Sequence, residues 1–562
     1  MRISPRLYQH RWKIAYIVIL LFAMSVRFFK LGSVPGSLYW DEVAILVDAK
    51  SISQSGLDMH GGSWSQVIFP SYGDYKLPVY IWFASVSVQL FGITEWAVRV
   101  PSAVTGVLTV ALAGYLAKLL TKNKLVGVST AVVVAISPWS ILFSRTAFEG
   151  HLAQGVVLLS IVMLCKWHDK WWGTTLSALL GAVATYSYFS VRFVWPVVFL
   201  LVLFFLKRHT LSTINVKSVL RLIAPVISGL VLFFVLLIPM RLSPLYENSN
   251  RFRLSAESIL TTNQQVLDSN SYRELSGDTY FDRLAFHRYH LVIRELLKNY
   301  SDHLSFNFLF LTGDDNLRHG TGEHGLYLLV LLPALLIGIY KLAAKQPLLL
   351  FTLGGWWFIA LLPAAVPVTT PHALRSLNAL VPSAIMIGVG ITSIMESLLR
   401  IRQKKTKYLS AILVLSLLLL NTFAFLYHYF TFYPADSQTA WQAGYKEVAQ
   451  EVLIMREDVP VYVQVGDDRL YLWFMAYGKY TAIDFQAWPS RNFQYSSFDN
   501  IYFTKFPGWS NVSNYSSRAV LILRADEQEV LTQSDFIVLS KSEVLDADGN
   551  LLFVIAKIDK RL

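Results

Sequence analysis

The sequence predicts a mainly α-helical, polytopic membrane protein with a small α/β domain at its C-terminal end. Three observations lead there. The 562 residues are 54% apolar and 15% charged, with a mean hydropathy of +0.45, whereas a soluble domain is roughly 45–50% apolar. The apolar residues are bunched into runs of about 17 to 24, each able to cross a hydrocarbon core about 30 Å thick as a helix. Finally, the basic residues behind the net charge of +12 fall mainly in short turns between those runs, as cytoplasmic loops require. The charge therefore reports topology and gives nucleic acid no role.

Taken in order, Arg2, Arg6, Arg11 and Lys13 precede an apolar run from Ile14 that Arg27 and Lys30 close. No small-residue cleavage site follows, so an uncleaved first span with a cytoplasmic N-terminus is expected. Further spans are predicted at 98–120, 125–143, 151–167, 173–190, 192–206, 219–240, 325–342, 347–366, 376–396 and 408–430, about eleven in all. The run Pro78 to Gly92 is short for a crossing and is read as a juxtamembrane helix on the outer surface. With that count Lys122 and Lys124, Lys166 and Lys170, Lys207 and Arg208, Lys341 and Lys345, and Arg402 to Lys407 all fall in the cytoplasm; one more crossing would divide them between the two sides. Segments 30–97, 241–324, 367–375 and the tail after 431 then lie outside, with 1–430 forming the membrane domain and 431–562 an extracytoplasmic domain.

In that tail a helical pattern at Trp441–Met455 precedes strand-like runs at Val459–Val465, Ile501–Thr504, Val520–Leu523, Phe536–Leu539 and Leu552–Ile558. The lone cysteine, Cys165, sits in an apolar run, which leaves no disulfide framework and no cysteine metal cluster.

Chemistry is sought in the outer loops. Tyr39-Trp40-Asp41-Glu42 follows the first span. An Asp-Glu pair in a loop is commonly a solvated surface feature, but a carboxylate at a bilayer surface must face water, a partner or a substrate. Asp41 is the candidate general base, with Glu42 a helper or a metal or acceptor ligand. Asp74-Tyr75-Lys76-Leu77-Pro78-Val79-Tyr80-Ile81-Trp82 reads as a charged head on an aromatic interfacial helix. Lys76, at its outer end, is also placed to bind a lipid phosphate as a point charge.

Arg145, Glu149 and His151 stand at an outer helix end, either as a solvated cap or as substrate ligands. His372 and Arg375 flank an outer turn; Arg375 either snorkels or clamps a phosphate with its planar fork. Asp314, Asp315, Arg318 and His319 form a charged turn before a span, ordinary in itself or else a ligand set for acceptor or metal.

The order of these motifs resembles glycosyltransferase family 39, the group of protein O-mannosyltransferases and lipid A aminoarabinose transferases. It runs through the Asp-Glu loop, Lys76-Leu77-Pro78-x-Tyr80-x-Trp82, then Phe91-Gly92-x-x-Glu95-x-x-x-Arg99-Val100-Pro101-Ser102. It continues through Ser137-Pro138-Trp139, Ser144-Arg145 to Gly150, Thr312 to His319, and Pro371-His372-Ala373-Leu374-Arg375, covering roughly 30 to 380. Gly444-Tyr445-Lys446-Glu447 is a weaker echo. The resemblance implies a glycosyltransferase C fold in the cell membrane and inverting transfer from a dolichyl- or undecaprenyl-phosphate sugar. The acceptor would be a protein, lipid or glycan outside the cytoplasm. Asp41 then looks like the catalytic carboxylate and Lys76 like the donor-phosphate ligand, with His372 and Arg375 assisting. The usual Lys-Pro-Pro reads Lys76-Leu77-Pro78 here, which keeps the lysine.

No nucleotide fingerprint is present and no cofactor is required. Two neighbouring carboxylates could hold a divalent ion, though the resemblance does not lead one to expect it. The main alternative is a transporter or flippase of lipid-linked sugars. Transporters tend to place ionisable groups in broken helices near the midplane, whereas here the charges lie at helix ends. An oligosaccharyltransferase-like enzyme would be expected to carry Trp-Trp-Asp, but Trp171-Trp172 and Trp356-Trp357 are followed by glycine and phenylalanine.

Overall fold

The computed structural model describes residues 5–208, 216–255, 258–261, 263–456, 458–463, 469–488, 490, 493–503, 518–533 and 536–560. The chain divides into two compact units. One gathers Met1–Phe29, Ser102–Ser144 and Glu149–His428; the other gathers Lys30–Pro101, Arg145–Phe148 and Tyr429–Leu562.

The first unit is helical. Among the described residues of the whole chain, six helices are long and apolar enough to cross a membrane: Glu95–Thr121, Glu149–Trp167, Ala224–Leu242, Pro347–Ala365, Leu377–Arg400 and Lys404–Thr431. The 24-residue helix Pro5–Phe28 stands at the first run, and shorter helices stand at others, Lys124–Ile136, Trp171–Thr185, Val191–Lys207 and Leu332–Lys345 among them.

Where helix limits depart from the sequence reading, proline and glycine account for it. The run 125–143 breaks at Ser137, held extended by Pro138, and Ser137 then caps Pro138–Phe143 by accepting from the Ser140 N–H at 3.4 Å. Likewise Val216–Leu236 gives way to Ile238–Leu242 around Pro239. The run expected from 325 becomes helical at Leu332, because Gly325 lies against the backbone of Phe310. Helices Leu332–Lys345 and Leu380–Arg400 pack backbone to backbone through small residues. A Cβ on Gly338 would fall 1.9 Å from the Met386 carbonyl oxygen, and one on Gly390 would fall 1.7 Å from that of Ala334.

The second unit joins the first long loop to the C-terminal segment. Helix Trp40–Ser55 is buried from Glu42 to Ser51 and ends on Gly56 at φ 73°, where a left-handed conformation stops the helix. A tight antiparallel pair, Phe69–Pro70 with Tyr75–Lys76, turns through Gly73 at φ 90°. Leu77 is extended and Pro78 opens the 14-residue helix Pro78–Phe91, as a proline at the first helical position favours.

C-terminally, helix Tyr445–Met455 precedes a six-stranded sheet in the order Ser497–Phe498, Ile501–Tyr502, Val461–Val463, Arg518–Arg524, Leu551–Lys560, Phe536–Leu545. Val461–Val463 is parallel to both its neighbours, and the last three strands pair antiparallel. One face is sealed by Tyr462, Ala519, Leu521, Leu523, Val554, Ala556 and Ile558. All five strand-like runs are strands, although Gln464, Val465 and Thr504 of the expected limits lie outside the described residues. Phe536–Leu545 extends past its apolar run because pairing with Leu551–Lys560 carries the polar stretch along. The sequence pattern missed helices Tyr471–Tyr477 and Ala482–Ala487 and the edge strand Ser497–Phe498.

Candidate active site

In the second unit, the first turn of helix Trp40–Ser55 carries both acidic residues, where the positive end of the helix dipole favours them. They meet different partners. Lys76, at the end of the short hairpin, donates from Nζ to Asp41 Oδ1 at 2.6 Å; its side chain is 2% exposed, and that of Asp41 28%. The Tyr72 hydroxyl donates to the same oxygen, and Lys76 Nζ lies 3.3 Å from that hydroxyl. Burial, then the Asp41 charge, pushes the Tyr72 phenol well above its ordinary range, so it stays a proton donor.

The C-terminal segment completes this corner. The Arg469 guanidinium lies 4.3 Å from the Trp40 ring centre and 4.5 Å from that of Tyr72, a cation–π contact on two faces. Gln494 Nε2 donates to the Tyr72 carbonyl at 3.0 Å, bracing the turn. The main-chain N–H of Trp40 donates to Gln442 Oε1 at 2.9 Å.

Glu42 is fully buried. Arg99 grips it bidentately, Nε to Oε1 at 3.0 Å and Nη2 to Oε2 at 2.8 Å, and the Ala147 N–H donates to Oε1 at 2.6 Å. Arg99 also donates to the carbonyls of Leu31, Pro35 and Ser37. The expected helper or ligand beside Asp41 is thus an internal anchor, with both oxygens engaged and no water contact. Arg145 is not a solvated cap: it is buried and donates to the carbonyls of Lys30 at 3.1 Å and Val34 at 3.0 Å, with Phe430 beneath its guanidinium.

The first unit holds the remaining candidates. Glu149 opens helix Glu149–Trp167 half-buried, and His151 two residues on is fully buried. Residues from two separate loops converge in Asp314, His319 and His372, one donor atom from each lying within 4.8 Å of the others. Asp314 Oδ1 accepts from the Asn316 N–H at 2.9 Å and Oδ2 from the Ala373 N–H at 2.7 Å, while His319 Nδ1 stands 3.7 Å from Oδ2.

Burial raises the Asp314 carboxyl to about 6. Burial, followed by His319 and Arg375, drives the His372 imidazole well below its usual value. Asp315 is exposed, and Arg318 Nε donates to Asn316 Oδ1 at 3.1 Å. Arg375 lies close enough to His372 for its charge to bear on that imidazole. It lines a cavity of about 350 Å³ with Arg192, Phe189, Phe193, Leu362 and Pro363.

The structure therefore brings Asp41 to Lys76, and Asp314 and His319 to His372. Sequence reasoning missed Tyr72, Arg469, Arg192 and the clamping role of Arg99. Tyr72 had one available signal, four residues before Lys76 across a Gly-Asp turn; the others had none.

Residues 75–238 match the family model described as dolichyl-phosphate-mannose-protein mannosyltransferase. No curated protein matches the chain by sequence. Among solved structures, ArnT from Cupriavidus metallidurans aligns with a TM-score of 0.52 in both the apo state and the form bound to undecaprenyl phosphate. Identities are 12% and 14%, with 98% of each chain covered. The Archaeoglobus fulgidus oligosaccharyltransferase tethered with an acceptor peptide containing the NVT sequon aligns at TM-score 0.50 and 9% identity, over 98% of this chain and 74% of that one. At these identities the likeness is one of fold. The resemblance read from the motifs is borne out in sequence over residues 75–238, and along nearly its whole length the mainly helical chain shares the fold of ArnT.

Proposed function

We propose that the protein transfers a sugar from a polyprenyl-phosphate donor to an acceptor on the extracytoplasmic side of the membrane, with inversion at the anomeric carbon. The observation that carries this reading is the Lys76–Asp41 pair: a buried ammonium bonded to a part-exposed carboxylate. The partial match to a mannosyltransferase family model and the shared fold with a structure bound to undecaprenyl phosphate support it.

In this mechanism the donor phosphate draws Lys76 from Asp41, and the carboxylate oxygen so released takes the proton of the acceptor nucleophile. The nucleophile attacks the anomeric carbon opposite the phosphate. The C–O bond to phosphate breaks as the new glycosidic bond forms, and polyprenyl phosphate leaves with the electron pair. Lys76 stabilises the charge growing on the leaving phosphate, the kind of preorganised electrostatic contribution that carries much of such a rate. Tyr72 orients Asp41, and Arg469 adds positive charge over the same aromatic pair. Glu42 is a positioning residue that holds the helix start through Arg99. Apolar walls with two guanidinium groups suit the cavity at Arg192 and Arg375 to a lipid phosphate.

The same reading places the protein in the cell membrane with about eleven crossings and a cytoplasmic N-terminus. It divides the chain near residue 430 into a membrane domain and an extracytoplasmic α/β domain. The test is release of polyprenyl phosphate by purified protein in lipid nanodiscs, offered a panel of undecaprenyl- and dolichyl-phosphate sugars with crude envelope acceptor. Release from one donor is expected and identifies the sugar. Binding of donors without release from any of them overturns the reading and favours a carrier of lipid-linked sugars.

A further inference from the structure

We infer that Asp314, His319 and His372 form a binding site for a divalent first-row transition ion, zinc by preference, which clips two loops of the first unit together. This stands apart from the transfer mechanism and departs from the expectation that no metal is needed.

His372 lies more than fifty residues beyond Asp314 and His319, yet one donor atom from each of the three lies within 4.8 Å of the other two. Around a tetrahedral ion with bonds near 2.0–2.2 Å, donors stand about 3.3 Å apart. Shifts of an ångström or so would therefore close the set. The ligands are two imidazoles and a carboxylate, with no thiolate, a combination suited to zinc, cobalt or iron and leaving a fourth position for water.

A second observation points to a ligand. His372 Nδ1 is buried and has no hydrogen-bond partner, an arrangement that costs free energy unless something occupies it. Its main chain is fixed independently: the His372 N–H donates to His303 Nε2 at 3.0 Å, and His303 Nδ1 is engaged by the Asn299 carbonyl at 2.7 Å. Nearby, Asn299 Nδ2 donates to the carbonyls of Ala365 and Pro367 at 3.0 Å each, and Thr370 donates to Asp302 at 2.8 Å. The turn is thus braced by ordinary hydrogen bonds that leave His372 Nδ1 unpaired, while the His372 ring stacks on that of His319 with centroids 4.5 Å apart. On the other loop, Asp314 is held by two main-chain N–H groups, one of them from Ala373, so each carboxylate oxygen keeps a lone pair. Such support around metal ligands orients them and sharpens affinity.

The experiment uses the full chain, purified on a histidine-free tag into nanodiscs. Metal content is measured by mass spectrometry, thermal unfolding is followed with ZnCl2 and with EDTA, and the visible spectrum is recorded after loading with CoCl2. One equivalent of metal is expected, together with a melting temperature raised by zinc and lowered by EDTA, and tetrahedral or five-coordinate cobalt bands. His372→Ala and Asp314→Asn should weaken zinc binding at least tenfold and abolish the zinc-dependent shift. If a variant fails to fold, the wild-type cobalt spectrum still decides. Wild-type protein that holds no stoichiometric metal and shows no shift with zinc or cobalt overturns the inference, as does a folded His372→Ala variant that keeps wild-type metal content.

Discussion

Asp41 and Glu42 are adjacent in sequence, share one helix turn and each pair with a cation, yet they occupy opposite environments. Glu42 is sealed from water, and Arg99 and the Ala147 N–H engage both its oxygens. Asp41 keeps 28% of its side chain exposed and meets a lysine and a tyrosine on one oxygen. A carboxylate that reacts must reach solvent and exchange partners, while one that anchors must do neither. The difference assigns chemistry to the first and structure to the second, and mutation can separate the two.

The largest effects should divide along that line. Asp41→Asn is expected to lower the turnover rate by about 10²–10⁴-fold, the range for losing a general base, with melting temperature close to wild type. Glu42→Ala should instead cost about 3–5 kcal/mol of stability, since it leaves Arg99 buried without its partner, and should appear as lost yield and a lower unfolding midpoint. The double variant Glu42→Leu with Arg99→Met sharpens the point. It should recover part of that loss, because no charge is left buried, but not all of it, because three carbonyls lose their donor.

Lys76→Ala should raise the donor dissociation constant about tenfold to a hundredfold, as expected for a charge-assisted hydrogen bond, with Lys76→Arg intermediate. Unchanged donor affinity in a binding titration would break the pairing of roles. Tyr72→Phe should slow transfer by about tenfold at most and leave donor affinity alone.

The smallest effect concerns Asp314 and pH. Burial pushes its carboxyl in the folded protein up to about 6, from an ordinary value of 3.8. Between those values the folded state holds a proton that the unfolded chain has released, so stability should fall as pH rises from about 4 to about 6. Melting temperature against pH in EDTA, compared with Asp314→Asn, measures this; the variant should flatten that part of the curve.

The helical runs were legible in the sequence because membrane crossing imposes a length and a composition, and Lys76 because an aromatic, proline-started helix follows it. Asp41 was legible only together with Glu42, since two neighbouring acids read alike until burial separates them. Arg99 looked like part of a motif, but its grip on Glu42 and on three distant carbonyls depends on tertiary closure that no local period encodes. Arg469 lies some four hundred residues from Trp40, in a stretch with no strong pattern. His372 and His319 could be named from their loops, but their meeting could not, because it depends on the turn at 367–375 being braced against Asn299 and His303. The breaks at Ser137-Pro138 and Pro239 were written in the sequence and were overridden there by the apolar run around them.

The central claim is that Asp41 takes the acceptor proton once a donor phosphate has drawn Lys76 away. Single-turnover transfer by wild type and Asp41→Asn in nanodiscs, with donor binding measured on the same samples, tests it most directly. The account predicts donor bound by both proteins and polyprenyl phosphate released by wild type alone. Near-normal release by folded Asp41→Asn would contradict it.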